Sequence, residues 1–234
     1  MLKKYINLYK VFLIITYCSM ACGFTLLGSA TWNISIAEPT LWVKPCSSIL
    51  TATFTNNLTS TLDELASNTS ITGIQAMDSI YHDYININSA YVRLAAYPTD
   101  PNNPGTPITG DTTFTINKGA ERTIDLCFSS PGGFKGGYAA PKASGGKITS
   151  CSIVIKDSYK SDLKAFLSTA THEIGHCLGL DHPMETTRSI MSYFHDEKYF
   201  RLMIDDRMGM DFLYPDTGID AKEVNTFGLS CVKK

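Results

Sequence analysis

Two histidines four residues apart, followed by a third beyond a glycine, constrain the fold of this chain more than any other feature. His172 and His176 lie in a segment whose apolar residues recur at helical spacing from Leu163 to Ile174. On a helix, positions i and i+4 project from one face, one turn apart. Two ligands of one small cation need that separation. The spacing therefore predicts a helix that carries two metal ligands.

The neighbouring residues predict a third ligand and a base. Gly179 supplies a helix end, because glycine readily adopts the left-handed conformation found there. The chain then turns, and His182 returns to the metal. Three neutral imidazoles leave the fourth position to water, and nitrogen ligands favour zinc, although the spacing leaves other divalent metals open. Glu173 is rotated by about 100° from His172 around the helix, so it can take a proton from that water without ligating the metal.

The segment from His172 to His182 resembles the zinc-binding sequence of the metzincin proteases. It fits H-E-x-x-H-x-x-G-x-x-H at every fixed position. Met191, nine residues after His182, looks like the methionine of the family's Met-turn. Tyr193 is similar to the tyrosine that follows this methionine in astacin-like and serralysin-like enzymes. The short interval before Met191 and the tail over 202–214 look like the matrixin catalytic domain.

The resemblance implies an α+β fold of the metzincin type. In that fold a twisted, mostly parallel sheet with an antiparallel edge strand packs on the active-site helix and a C-terminal helix. The three histidines would ligate one catalytic zinc, with Glu173 as the general base and Met191 as the floor of the site. Tyr193 would stabilise the tetrahedral intermediate or form a wall of the pocket, and the sequence leaves both roles open.

The function implied is a secreted zinc-dependent endopeptidase that hydrolyses peptide bonds of a protein or peptide substrate. The alternative is a zinc-binding interaction protein on the same fold, either catalytically silent or dedicated to one partner. Loss of the base or of a ligand is the usual mark of a silent protein. Glu173 and all three histidines are present, which favours the protease.

The N-terminal thirty residues differ in composition from the rest of the chain. Lysines without acidic residues precede an apolar run that begins at Val11, and small residues follow at 28–30. This order is typical of a secretory signal peptide. We predict cleavage after Ala30 and a single catalytic domain over 31–234, whose first thirty or so residues form an extension. The product would be secreted or periplasmic, with lipid anchoring at Cys22 as the alternative.

Composition excludes several classes of partner. The formal net charge is −2, so the chain lacks the basic excess that nucleic-acid binding needs. After the N-terminal segment, no stretch approaches the ~20 apolar residues of a membrane span. Residues 100–111 carry oxygens that could bind calcium, but their spacing matches no calcium loop. We therefore expect a solvated loop there.

Five of the seven cysteines remain after the predicted cleavage. Export permits disulfides, and an odd number leaves at least one thiol outside them. Cys127 and Cys151 lie in strand-like segments and are candidates for neighbours, while Cys177 is the candidate free thiol. For Cys46 we expect a disulfide or a buried thiol rather than a thiol that blocks the zinc.

Periodicity also predicts the elements around the site. Residues 74–84 have the spacing of a helix, and 91–97, 123–128 and 148–155 have the pattern of strands. Residues 137–143 would form either an edge strand that binds extended substrate or a plain glycine-rich loop.

Overall fold

The structure of the chain is a computed structural model. It describes residues 24–58, 65, 67–87, 90–96, 122–129, 136–183, 189–193 and 199–216. Most of the predicted signal peptide, the predicted loop over 100–111 and Cys231 lie outside these residues. In the part of the chain that the structure describes, no helix has both the length and the apolar character needed to cross a membrane.

Ten strands and four α-helices are described. The strands are β1 (Thr25–Leu26), β2 (Thr31–Trp32), β3 (Thr40–Pro45), β4 (Thr53–Thr55), β5 (Ser70–Thr72), β6 (Arg93–Ala96), β7 (Thr123–Ser129), β8 (Gly137–Ser144), β9 (Lys147–Lys156) and β10 (Leu180–Asp181). The helices are α1 (Ser47–Leu50), α2 (Gly73–Ile85), α3 (Leu163–Leu178) and α4 (Ile204–Leu213). The predicted helix over 74–84 and the predicted strands over 91–97, 123–128 and 148–155 all appear, with ends shifted by up to two residues.

A six-stranded sheet forms the centre of the molecule. Five strands run parallel in the order β2-β9-β7-β3-β6, and β8 pairs with β9 in the antiparallel direction. The prediction of a mostly parallel sheet is confirmed, and the segment over 137–143 forms a strand rather than a loop. The central strands are apolar because helices cover the sheet: Ile124, Leu126, Ile153 and Ile155 are fully buried.

Helix α3, which carries two of the histidines, is fixed at both ends. The side chain of Asp162 caps its first turn by accepting a hydrogen bond from Ala165 N at 2.9 Å. At its other end Gly179 adopts φ 105°, the left-handed conformation predicted for it.

Residues remote in sequence satisfy the carbonyl groups of α3. Trp32 Nε1 donates to the carbonyl oxygen of Cys177 at 2.8 Å, and the Tyr214 hydroxyl donates to that of Leu178 at 2.8 Å. Both carbonyls belong to the last turn, where intrahelical partners are lacking. The position of the helix end is therefore set by the domain as a whole.

Two disulfides join the helices to the sheet, and they correct the predicted cysteine arrangement. Cys46 pairs with Cys127, and Cys151 pairs with Cys177. Cys177 is therefore not free, and Cys127 is not a partner of Cys151.

Strand register explains the error. Cys127 lies opposite Val154 on β9, and Cys151 is three residues before Val154. Because side chains alternate between the faces of a sheet, the two cysteines face opposite sides. Cys46 has its thiol in a disulfide, as expected, rather than available to a metal.

Residues 24–30 belong to the folded unit. β1 pairs antiparallel with β10, so that Leu26 lies opposite Leu180. Phe24 is buried, with its ring centre 5.7 Å from that of Phe212 on α4. Cleavage after Ala30, which stays a prediction, would remove this strand.

Removal of residues 1–30 is expected to destabilise the domain, because it deletes β1 and the buried Phe24 ring. Loss of a buried phenylalanine side chain costs about 3–5 kcal/mol, and we expect a loss of unfolding free energy near that size. Urea denaturation of the shortened chain measures it. A chain that lacks only 1–23 is the control, and equal midpoints for the two chains would contradict the prediction.

Candidate metal centre

The three predicted ligands meet at one point. The Nε2 atom of His182 lies 3.2 Å from Nε2 of His172 and 3.2 Å from Nε2 of His176. All three residues offer ligand atoms within 4.8 Å of one another. The helix supplies two of them, and the left-handed turn at Gly179 redirects the chain so that β10 delivers the third.

Hydrogen bonds fix the tautomer of two imidazoles. His172 Nδ1 lies 2.7 Å from the carbonyl oxygen of Ile190, and His176 Nδ1 lies 2.9 Å from that of Leu180. A carbonyl oxygen only accepts, so both Nδ1 atoms carry the proton and both Nε2 atoms keep a lone pair. His182 Nδ1 lies 3.5 Å from the Asp181 carboxylate.

This donor set fits zinc. Three nitrogen ligands whose other ring nitrogens face carbonyl or carboxylate oxygens are the arrangement that orients imidazoles toward this metal. Burial lowers the pKa of His176 to about 4, which the hydrogen bond to Leu180 partly opposes. The imidazole is therefore neutral at physiological pH, which is the form that binds a metal.

Glu173 lies in the same cavity as the three histidines. Burial raises the pKa of its carboxyl group to about 7, while a hydrogen bond from the backbone N–H of Ala139 opposes the rise. Gly137 makes room for this side chain, because a Cβ atom at 137 would lie 2.8 Å from Glu173 Cγ. β8 therefore holds the candidate base in position through its backbone.

Met191 lies directly beneath the helix. It is buried, and a Cβ atom on Gly175 would overlap with its sulfur. The turn that carries it is held by Asp206 on α4, whose carboxylate accepts hydrogen bonds from Ile190 N at 2.8 Å and from the Ser189 hydroxyl. Burial raises the pKa of Asp206 against these hydrogen bonds. Met191 thus packs against α3 at Gly175, next to His176 in the chain.

Tyr193 stands at the rim of the cavity. Its ring stacks on the His182 imidazole with centroids 3.9 Å apart and an interplanar angle of 17°. The side chain is 63% exposed. The cavity has a volume of about 640 Å³, and Tyr138 and Leu27 also line it.

Sequence reasoning missed three contributors to the site. The sequence places Asp206 only in the tail over 202–214, although an acidic residue in the first turn of a helix is suited to accept hydrogen bonds from free backbone N–H groups. The backbone of Ala139 was missed because a strand N–H leaves no mark in the sequence. Leu27 was missed because it was assigned to the signal peptide.

Three histidines that could hold one metal ion, with a carboxyl group in the same cavity, are the arrangement expected of a metalloprotease. Comparison with protein families identifies the particular family. The family model for matrixin, Peptidase M10, matches residues 86–215, more than half of the chain. The chain therefore belongs to the matrixin family of metalloproteases. No curated protein matches the sequence.

Among solved structures, a chain of the GM1 bound form of the ECX AB5 holotoxin is similar. The TM-score is 0.46 and the identity 12%, over 82% of this chain and 90% of that one. A similarity of this size supports no conclusion about the present chain.

Replacing Gly175 with Ala is expected to destabilise the protein by about 1–3 kcal/mol, because the new methyl group overpacks against Met191. Helix propensity alone would give the opposite sign, a gain of about 1 kcal/mol. Chemical denaturation of the variant measures the difference. In a Met191→Ala background the same change should cost much less, and an equal cost in both backgrounds would contradict the packing argument.

Proposed function

We propose that this chain is a zinc-dependent endopeptidase in which Glu173 is the general base. The observation that carries the proposal is the convergence of three Nε2 atoms, with Nδ1 of His172 and His176 engaged by backbone carbonyls. Membership of the matrixin family supports the same activity. The substrate is a protein or peptide bound in the cavity that these residues line.

His172, His176 and His182 would hold the metal. Zinc in such a site supplies a Lewis acid that polarises the scissile carbonyl and lowers the pKa of a water molecule. Glu173 takes a proton from the water molecule while the water oxygen bonds to the carbonyl carbon. It then delivers this proton to the amide nitrogen as the carbon–nitrogen bond breaks. The hydrogen bond from the backbone N–H of Ala139 keeps the carboxyl group of Glu173 oriented while it holds the proton between the two transfers.

We also propose that the chain is exported. The basic and apolar N-terminal segment supports a signal peptide. Because Phe24 is buried and β1 pairs with β10, we propose that cleavage falls before Phe24 rather than after Ala30, so that Leu27 stays in the exported chain. The two disulfides, Cys46–Cys127 and Cys151–Cys177, are typical of proteins from an oxidising compartment.

Replacing Glu173 with Ala is expected to abolish cleavage of an unfolded casein-like substrate while the zinc content stays at about one per chain. General base catalysis contributes about 10²–10⁴ to the rate, so kcat should fall at least a hundred-fold. Cleavage assays run beside metal analysis of the same samples test both statements. His182→Ala is the matched variant, because it should lose zinc as well as activity.

The possible results separate the candidate functions. A wild-type chain that holds zinc and cleaves no member of a panel of unrelated proteins would favour the interaction protein. Folded wild-type chain without zinc would contradict the ligand assignment.

We further propose that the Tyr193 phenol donates a hydrogen bond to the oxyanion of the tetrahedral intermediate. Tyr193→Phe keeps the ring stacked on His182 and removes only the hydroxyl group. Loss of an oxyanion donor costs about 10²–10³ in kcat, so a fall of that size with unchanged KM is expected. If kcat is unchanged, Tyr193 is a wall of the pocket.

A further inference from the structure

One wall of the cavity comes from a segment upstream of the family match. The matched residues begin at 86, whereas Leu27 lines the same cavity as His176 and His182. The zinc-binding sequence does not require this wall. This wall can therefore influence which substrates the cavity binds, separately from the proposed catalytic residues.

The backbone of this wall is held firmly. On β1, Thr25 lies opposite Asp181 and Leu26 lies opposite Leu180. One residue further, the Leu27 N–H donates to the carbonyl oxygen of Gly179 at 2.9 Å. The start of the segment is anchored by Phe24, which is buried against α4. The wall is thus attached directly to the turn that delivers the third ligand.

The side chains of the wall point in two directions. Because successive residues of a strand alternate between faces, Leu26 packs against the core while Leu27 lines the cavity. Leu27 is 48% exposed, so about half of its apolar surface stays in contact with water. Burying that surface against a ligand releases free energy. An aliphatic wall carries no charge and no hydrogen-bonding group, so the ligand that gains from it is apolar.

We propose that Leu27 is a specificity-determining residue that contacts one apolar side chain of a peptide bound in the cavity. This inference rests on the proposed endopeptidase function, since it assigns part of the substrate preference of that site. The contact is selective because a polar side chain placed against Leu27 would lose water without gaining a hydrogen bond from it.

Binding without cleavage tests the inference directly. The full chain carrying Glu173→Ala is loaded with zinc and titrated with peptides in which one leucine is moved through an otherwise alanine-rich sequence. Fluorescence anisotropy gives the Kd of each. One leucine position should bind more tightly than its alanine counterpart. Adding Leu27→Ser should raise the Kd of that peptide about ten-fold, the scale of a lost apolar pocket contact, and leave the alanine peptide within about two-fold.

Two further variants control for general effects. Ile36 is apolar and exposed, but lies outside the residues that line the cavity, so Ile36→Ser should change no Kd. Leu27→Met keeps the apolar character and should retain the preference for the leucine peptide. Zinc content and the unfolding midpoint are measured for every variant. A general loss of binding by Leu27→Ser, together with lost zinc or a lowered midpoint, would assign Leu27 a structural role and overturn the inference.

Cleavage assays in the Glu173 background separate this inference from the proposed function. With an active enzyme, Leu27→Ser should lower kcat/KM for the preferred peptide about ten-fold, mainly through KM. A chain that cleaves peptides but shows no preference that depends on Leu27 overturns the inference and leaves the function standing. A chain that shows the preference in binding but never cleaves overturns the function instead. If none of the peptides binds, the inference fails.

Discussion

The left-handed turn at Gly179 is the constraint on which the candidate metal centre depends. It ends the helix that supplies two imidazoles and sends the chain into β10, which delivers the third. The same turn brings the carbonyl oxygen of Leu180 to His176 Nδ1, so the bend that places one ligand also sets the tautomer of another. Groups as distant as Trp32 and Tyr214 bind the carbonyls just before it. Two residues remote from the bend in sequence, Trp32 and Tyr214, therefore help to fix its position.

A second set of hydrogen bonds fixes the turn that packs against the helix of the candidate ligands. Asp206 binds the backbone of the turn that contains Met191, and that turn supplies the carbonyl oxygen for His172. The helix bearing Asp206 is itself tied to α2, because Asp83 accepts hydrogen bonds from Leu202 N at 2.6 Å and from Arg207 at 3.2 Å. The position of the candidate ligand His172 thus depends on hydrogen bonds that connect α2 to α4 and α4 to the turn at Ile190. The catalytic residues proposed here occupy a small part of the chain, and their geometry depends on elements far from them in sequence.

The features that the sequence predicted are those encoded within one segment. Helical spacing around His172, the glycine at 179 and the apolar runs that form β7 and β9 each depend on neighbouring residues, so they can be read locally. The disulfide partners could not be predicted, since they depend on which face of the sheet each cysteine occupies, and that follows from register. The sequence predicts no role for Leu27 in the site, because an apolar segment is expected both in a signal peptide and in a buried strand. The hydrogen bond from the Leu27 backbone N–H to the carbonyl oxygen of Gly179 joins residues more than a hundred positions apart.

The close packing of Gly175 against Met191 makes an apparently free position of the zinc-binding sequence a constrained one. A side chain at position 175 would occupy the space that the Met191 side chain fills. A protein that gains a larger residue at 175 therefore keeps this site only if residue 191 becomes smaller or the turn that carries it moves away. Movement of the turn would carry the Ile190 carbonyl with it and break its hydrogen bond with the Nδ1–H of His172. A substitution at a position outside the three candidate ligands would then remove the hydrogen bond that sets the tautomer of one of them. Residues 175 and 191 are accordingly expected to be inherited as a pair.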